Sequence, residues 1–273
     1  KHIKKVRRVN LIVPNQGIKV DKSKQIITVP CLKISFNYAF PSKFTKINQI
    51  EINKEYIYVS VSIPERKLIE VDNYIGIDLN ATGHIAVLAN PKTGKVLKMG
   101  KQAEHIHKKY KNIRRWLQIA GKYHKIKQIK DRESRIIKDI NHKISKKIIQ
   151  IAEKTKSGIR LEKLKGICNN KKHSRSFNYS LNNWSFYQLQ QFIEYKAKLY
   201  GIFVDYIDPA YTSQLCSRCG LIGKRNGKIF KCPFCGHVDH ADANASFNIA
   251  LGQNIGQLSI DRDIFLNELV KAK

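Results

Sequence analysis

Three short stretches determine how this chain folds: CSRCG (216–220), CPFCG (232–236) and DHADANASFNI (239–249). The first two give a C-x-x-C pair, a spacer of twelve residues and a second C-x-x-C pair. Four thiolates at this spacing are the ligand set of a tetrahedral structural Zn²⁺ ion. A glycine closes each pair, which allows positive φ and turns the loop amides toward the sulfurs. The spacing therefore predicts a structural zinc site. Its ligands would be Cys216, Cys219, Cys232 and Cys235.

Two disulfides are the alternative for these cysteines, and disulfides are typical of small secreted domains. The sequence shows neither a signal peptide nor an apolar run long enough to span a membrane. We therefore expect a cytoplasmic, bacterial or archaeal protein that is associated with the nucleoid and has no membrane partner. The other two cysteines, Cys31 and Cys168, are distant in sequence and are expected to be ordinary thiols.

The charge balance indicates a polyanionic partner. The 273-residue chain carries 51 Lys and Arg residues against 21 Asp and Glu residues, a net charge of +30. Such an excess repels itself unless a polyanion neutralises it, and nucleic acid is the natural candidate. Because 42% of the residues are hydrophobic, the chain can still bury a core and is not a disordered basic tail. A ribosomal protein would have the same charge, and no small-molecule substrate is indicated.

Three carboxylates lie at predicted positions where a bound metal ion would account for their negative charge. Asp78 lies among apolar residues of the predicted strand IGIDLN, where an isolated carboxylate is costly to ionise unless a cation compensates it. Glu162 ends the predicted strand SGIRLE, and Asp242 opens a predicted helix, whose dipole favours a negative charge. The alternative for Asp78 is a strand-end carboxylate that is held by backbone amides. The rival ligands are Asp72, Asp205, Asp208 and Asp239.

A fold that brings these three carboxylates together needs Mg²⁺ or Mn²⁺ to offset their repulsion. Two such ions about 4 Å apart catalyse in-line phosphodiester hydrolysis, because one activates water and the other stabilises the leaving 3′ oxygen. Asp78 would contact both ions, and Glu162 and Asp242 one each. The segment 74–99 supports this interpretation, since its three predicted strands match the opening of a ribonuclease H-like sheet.

The remaining segments predict a β-rich start and a helical middle. Short β-branched runs over 9–63 predict part of a small barrel, with a hairpin at 53–55. Apolar spacing over 101–155 predicts two long helices that break near Asp131 and pack together as a hairpin. Their other faces carry charge of one sign, which favours contact with phosphates over a merely solvated surface. The candidate nucleic-acid contacts are Lys108, Lys109, Lys111, Arg114, Arg115, Lys122 and Lys125.

The ordered set of motifs resembles TnpB, the transposon-encoded nuclease family related to type V CRISPR effectors. The similarity covers roughly residues 50–255. The matching runs are GIDLN (76–80), NHKISKKII (141–149), LEKLKG (161–166), DPAYTSQLCSRCG (208–220), CPFCG (232–236) and HADANASFNIA (240–250). Members of that family bind an RNA made from the transposon end, and its terminal segment pairs with target DNA. Guide RNA and target DNA are thus the implied partners.

The resemblance also implies an α/β fold, with a ribonuclease H-like (RuvC) nuclease domain, an inserted zinc ribbon and an N-terminal wedge barrel. Asp78, Glu162 and Asp242 are then the catalytic residues and the magnesium ligands, and the four cysteines hold zinc. The expected domains are a partial β-barrel (1–70), the RuvC domain (71–210) with its helical hairpin (101–155), the ribbon (211–238) and a final RuvC segment with a tail (239–273).

Family proteins are usually longer than this chain. Residue 1 is Lys and the single Met is Met99, so we expect that the N-terminal part of the barrel is missing. The leading hypothesis is a transposon-encoded, RNA-guided DNA endonuclease with a two-metal mechanism. The alternatives are an unguided, structure-specific nuclease of the same fold and a non-catalytic, RNA-dependent DNA-binding protein.

Overall fold

The computed structural model describes residues 10–40, 44–80, 83–163 and 186–252. They form two compact units, which divide between Arg66 and Lys67. Cys168 and the part of the expected tail beyond residue 252 lie outside the described residues. Among the helices that the structure describes, none combines the length and the apolar character that a membrane span requires.

The first unit contains two three-stranded antiparallel sheets, as the β-rich sequence predicts. Its core consists of five buried side chains: Val13, Ile27, Val29, Ile47 and Ile50. The strands are β1 (Leu11–Pro14), β2 (Lys19–Asp21), β3 (Ile26–Val29), β4 (Ile34–Asn37), β5 (Lys46–Ile52) and β6 (Ile57–Ser62). They pair in the orders β1–β5–β6 and β2–β3–β4.

The predicted hairpin at 53–55 is confirmed and joins β5 to β6. Its Asn53 side chain accepts hydrogen bonds from the amides of Glu55 and Tyr56, at 2.8 and 2.7 Å. This is an Asx-type turn, in which a short polar side chain replaces a backbone acceptor. Strand β2 was not predicted, and a 3₁₀ turn at Pro30–Leu32 precedes β4.

The second unit is built on a five-stranded mixed sheet of order β11–β10–β7–β8–β9. These strands are β7 (Asn73–Leu79), β8 (Ala86–Asn90), β9 (Lys95–Met99), β10 (Ser157–Glu162) and β11 (Val204–Ile207). The β7–β8 and β8–β9 pairs are antiparallel, whereas β10 lies parallel to both β7 and β11. The three predicted strands over 74–99 are therefore confirmed.

Five helices and a small sheet complete the described part of the second unit. The helices are α1 (Gln102–Ile119), α2 (Tyr123–Ile129), α3 (Arg132–Lys154), α4 (Phe186–Tyr200) and α5 (Ala241–Leu251). The small antiparallel sheet has the order β12–β13–β14, from strands β12 (Lys224–Asn226), β13 (Ile229–Lys231) and β14 (Val238–His240).

The central strand β7 is apolar on both faces because helices cover each of them. Ile75 and Ile77 are fully buried in one cluster with side chains of α3 and α4. Gly76, between them, points to the opposite face and meets α5. A Cβ at Gly76 would lie 2.1 Å from the Ser246 carbonyl oxygen and 2.3 Å from the Ala250 amide nitrogen. Helix α5 therefore packs against the strand at backbone distance.

The prediction of two helices over 101–155 is wrong in one respect, since a second break separates α1 from α2. Gly121 has φ +66°, and such a left-handed residue ends a helix readily. The packing also differs from a simple hairpin. The apolar stripe of α3, which includes Ile140, Ile144 and Ile148, lies in the core with the sheet and α4, whereas α1 contributes mainly Ala103 and Ile106.

Gly76→Ala tests the close packing of α5. The new methyl group meets two backbone atoms, which no side-chain rotation can relieve, so we expect a loss of about 3 kcal/mol in the free energy of unfolding. Gly94→Ala is the control, because Gly94 has φ +66° but open space around it and should lose only about 1 kcal/mol. Urea unfolding followed by circular dichroism measures both. Equal losses in the two variants would contradict the packing described for α5.

Candidate active site and cysteine cluster

Asp78 and Glu162 lie at the same end of neighbouring parallel strands. Asp78 is the last residue but one of β7, and Glu162 is the last residue of β10. The strands pair Ile159 with Ile75 and Arg160 with Gly76. Continuing this register by two residues sets Glu162 beside Asp78, on the same face of the sheet as Gly76. This is the face that α5 covers.

Asp242 reaches the same neighbourhood from the first turn of α5. It is 1% exposed, and the close approach at Gly76 holds its helix against β7. The Ser246 hydroxyl strengthens this contact by donating to the Val87 carbonyl oxygen of β8 (2.9 Å) and to the Asp242 carbonyl oxygen (2.7 Å). The helix that bears Asp242 is thus fixed directly against the strands.

The pKa values reflect how closely the carboxylates lie. Burial, followed by the negative charge of Glu162, raises the pKa of Asp78 to about 7, and the charge of Asp242 adds to this effect. The Asn80 amide opposes the shift by donating to Asp78 at 2.8 Å. Burial also raises the pKa of Glu162, although the Thr212 hydroxyl donates to it and opposes that shift. The structure therefore brings the three predicted carboxylates into one electrostatic environment.

Two cationic side chains that the sequence analysis missed neutralise Asp242. Lys228 Nζ lies 2.7 Å from one carboxylate oxygen, and Arg225 Nη2 lies 3.5 Å from the other. Both come from the β12–β13 hairpin. Among the described residues, the three carboxylates do not form a group whose ligand atoms all lie within 4.8 Å of one another. In this structure the two basic side chains balance the charge of the buried Asp242 carboxylate.

The rival acids have other partners or lie apart. Asp205 forms an ion pair with Arg160 at 2.9 Å, and the same guanidinium donates to the Ala250 carbonyl oxygen at 2.8 Å. Asp239 accepts a hydrogen bond from the His240 amide, and Asp208 from the Ala210 amide. Asp72 is exposed. Asp208 does influence the site, since its charge contributes to the raised pKa of Glu162.

The four cysteines form the tight cluster that their spacing predicts. Their sulfur atoms all lie within 4.8 Å of one another, and the Cys216–Cys235 and Cys219–Cys232 sulfurs are 3.6 and 3.5 Å apart. These separations exclude disulfides, whose sulfurs are about 2.05 Å apart. They are close to the roughly 3.8 Å edge of a tetrahedron with metal–sulfur bonds of 2.3 Å. The donor set and its geometry therefore fit a structural zinc ion.

Both turns of the cluster have the backbone geometry expected from their glycines. Gly220 and Gly236 have φ of +75° and +70°, and their amides donate to the carbonyl oxygens of Cys216 and Cys232. Desolvation raises the pKa of Cys219 to about 12, whereas the hydrogen bond from the His237 amide lowers the pKa of Cys235 to about 7. The β12–β14 sheet packs on the cluster through the buried Phe230.

Two buried asparagines of α5 anchor the cysteine segment next to the carboxylates. Asn244 donates to the Leu215 carbonyl oxygen (2.6 Å) and accepts from the Ser217 amide (2.9 Å). Asn248 donates to the carbonyl oxygens of Thr212 (2.8 Å) and Leu215 (2.7 Å). The run DANASFN thus carries one carboxylate and two amides that fix the start of the ribbon.

The predicted basic contacts lie on α1, on α2 and between them. Six of the seven are exposed, and Lys108 pairs with Glu104 at 2.6 Å. Arg114 is different, because its guanidinium pairs with the buried Glu133 of α3. His107 contacts the same carboxylate at 2.6 Å. Arg114 therefore links two helices, and the contact of the others with nucleic acid stays a prediction.

Comparison with known proteins identifies a matching family model and several relatives of this chain. The family model described as "Cas12f1-like, TNB domain" matches residues 186–249. The chain is 35% identical to a TnpB-like protein of Methanocaldococcus jannaschii, over 84% of this chain and 90% of that protein. It is 33% identical to the CRISPR-associated endodeoxyribonuclease Cas12f1 of Sulfoacidibacillus thermotolerans, over 73% of this chain. The match spans only 50% of the length of that larger relative.

Solved structures show the same fold. A Cas12f1 complex with single-guide RNA and target DNA aligns with a TM-score of 0.57 at 22% identity, over 75% of this chain and 45% of that chain. A Cas12f ternary complex aligns with a TM-score of 0.56, also at 22% identity and with the same coverage. At this identity the likeness concerns the fold alone.

Zinc analysis tests the cysteine cluster. We expect about one zinc ion per chain in the purified protein, and replacement of Cys232 and Cys235 by serine should remove it, because two thiolates bind zinc far more weakly than four. The exposed Cys31 lies outside the cluster, so Cys31→Ser serves as the control and should retain the metal. Mass spectrometry of the metal content measures all three proteins. Wild-type protein without zinc, or a double variant that keeps it, would contradict the assignment.

Proposed function

Because this chain belongs to the family of TnpB-like proteins, we propose that it is a transposon-encoded, RNA-guided DNA endonuclease that requires a divalent metal. The observation that carries the proposal is the meeting of Asp78, Glu162 and Asp242 at one end of β7 and β10. Three acidic groups in one partly buried site repel one another, and among the described residues only Asp242 of the three has basic side chains at ion-pair distance. The uncompensated charge of Asp78 and Glu162 favours a role in binding metal ions.

We further propose that the second unit is a ribonuclease H-like (RuvC) nuclease domain. Support comes from its strand order, in which three antiparallel strands are extended by two parallel ones on the β7 side. Ligands of mixed α/β sheets commonly bind beyond the carboxyl ends of parallel strands, where Asp78 and Glu162 lie. The two sheets of the first unit would be part of a wedge barrel that contacts RNA.

The donor set suits Mg²⁺ or Mn²⁺, which prefer carboxylate oxygens. Two such ions would activate a water molecule and stabilise the leaving 3′ oxygen of a phosphodiester. The chain's own residues prepare this site in three ways. The pKa values of Asp78 and Glu162 are both raised, and a bound cation would lower them. Asn80 and Thr212 orient those two carboxylates by hydrogen bonds, and the packing of α5 excludes water from Asp242.

Guide dependence rests on family membership, and the charge of the chain agrees with it. In RNA-guided nucleases, base pairing selects the sequence while the protein holds the backbone of the heteroduplex. Such a protein needs many basic side chains and no base-reading helix, which agrees with 51 Lys and Arg residues spread over the chain. The unguided nuclease remains the second candidate, and loss of activity after ribonuclease treatment would separate the two.

Asp78→Asn tests the catalytic assignment. Removing this charge should lower DNA cleavage in Mg²⁺ by about a thousandfold, because metal ions contribute several kcal/mol to phosphodiester hydrolysis. Binding of RNA and DNA, measured by gel shift without Mg²⁺, should stay within about twofold. The reason is that a partly buried carboxylate makes no attractive contact with phosphate that the substitution could remove. The exposed Asp72 provides the control Asp72→Asn, which should cut normally. Joint loss of cutting and binding, or unchanged cutting, would count against the assignment.

Lys228→Gln tests whether the ribbon competes with metal ions. The ammonium group lies 2.7 Å from a carboxylate oxygen of Asp242, so its removal should raise the affinity of the DNA-free protein for Mn²⁺ by about fivefold. Electron paramagnetic resonance of free Mn²⁺ gives this affinity without any activity assay. Lys224→Gln, on the exposed part of the same hairpin, should change it little. Weaker Mn²⁺ binding in Lys228→Gln would mean that the lysine supports the site instead of competing.

A further inference from the structure

Three exposed apolar side chains, Trp116, Ile119 and Tyr123, lie where α1 ends and α2 begins. We call this region the corner. Their exposed fractions are 71%, 69% and 63%, and Trp116 and Ile119 are the most exposed large apolar side chains among the described residues. A tryptophan this exposed forgoes most of the 150–250 Å² of burial that aromatic side chains usually gain. Three such residues within eight positions indicate a surface that binds something.

The backbone of the corner is fixed by hydrogen bonds. The Ala120 amide donates to the Trp116 carbonyl oxygen at 3.0 Å, and the Gly121 amide donates to that of Gln118 at 3.1 Å. The Lys122 amide then donates to the Leu117 carbonyl oxygen at 2.8 Å, which closes the turn before α2 begins. Trp116 and Tyr123 thus lie in helices on either side of a short ordered turn, so that little backbone entropy is lost when they bind a partner.

The charge around the corner selects the kind of partner. No acidic residue occurs between Glu104 and Asp131, while Arg115, Lys122 and Lys125 are exposed beside the aromatic side chains. A second copy of this chain would bring the same positive charge to the contact and would be repelled. A polyanion with flat apolar faces matches both features, and single-stranded nucleic acid has that chemistry.

We propose that Trp116 and Tyr123 stack on unpaired bases of a nucleic-acid strand, with its phosphates bound by Arg115, Lys122 and Lys125. The proposal rests on the proposed function only for the presence of a nucleic-acid partner. It adds that this partner is single-stranded at the corner and that its bases contribute to binding. A helix that only followed duplex phosphates would need the lysines but not an exposed tryptophan.

Tryptophan fluorescence provides a direct test, because the chain has two tryptophans, Trp116 and Trp184. In a Trp184→Phe background without Mg²⁺, an oligothymidine of about fifteen nucleotides should quench the emission of Trp116. An abasic oligonucleotide of equal length has the same phosphates but no bases, so it should bind without quenching. Equal quenching by both oligonucleotides, or quenching by neither, would overturn the stacking proposal.

Affinity measurements separate stacking from charge. Trp116→Leu should weaken binding of oligothymidine about fivefold to tenfold, leave abasic binding unchanged and preserve the salt dependence, since no ionic contact is lost. Tyr187→Leu is the control, because Tyr187 is an exposed aromatic residue (63%) but lies on α4, and it should bind like the wild type. If Trp116→Leu weakens both ligands equally, the tryptophan does not read bases.

Three further outcomes keep the proposals distinct. A shift of Trp116 emission that grows with protein concentration in the absence of nucleic acid, together with faster sedimentation, would assign the corner to self-association and overturn stacking. Failure of Asp78→Asn to abolish cutting would refute the nuclease assignment without affecting the oligothymidine comparison. Loss of base-dependent binding in Trp116→Leu, with full cutting by the wild type, supports both proposals independently.

Discussion

The contact of α5 with β7 is the constraint on which the rest of the second unit depends. A backbone-to-backbone approach is possible because residue 76 has no side chain, and any Cβ there would meet the Ser246 carbonyl oxygen at 2.1 Å. The same helix carries Asp242 in its first turn and the two asparagines that hold the ribbon. One close contact therefore sets the distance between strand carboxylates, helix carboxylate and cysteine cluster.

Electrostatics is the main argument for the proposed metal site. The chain has a large positive charge, yet it concentrates acidic groups where burial makes ionisation costly, as the pKa of Asp78 near 7 shows. Lys228 and Arg225 compensate Asp242 from the ribbon hairpin. We infer that these cations and divalent ions compete for one carboxylate, so that the ribbon and the proposed active site are electrostatically coupled. Phosphates of a bound strand would offer the displaced cations a new partner.

The sequence predicted those features that local pattern encodes. Cysteine spacing and the two glycines specify the cluster, and the apolar strand around Asp78 identifies that carboxylate as unusual. Partners that depend on tertiary packing were not predictable, such as Arg114 with Glu133 or Lys228 with Asp242, since neither pair has a regular spacing. The break after α1 was missed although Gly121 gave a local signal, because an isolated glycine inside a helical pattern does not by itself end a helix.

The central claim is that Asp78, Glu162 and Asp242 form one site for two divalent ions. Electron paramagnetic resonance of the zinc-loaded protein with bound DNA and stoichiometric Mn²⁺ tests this claim most directly, because two Mn²⁺ ions about 4 Å apart are magnetically coupled. The account predicts a coupled signal from two ions per chain, and Asp78→Asn should reduce it to isolated ions. Isolated Mn²⁺ signals in the wild-type protein, or a coupled pair that survives Asp78→Asn, would contradict a shared carboxylate site.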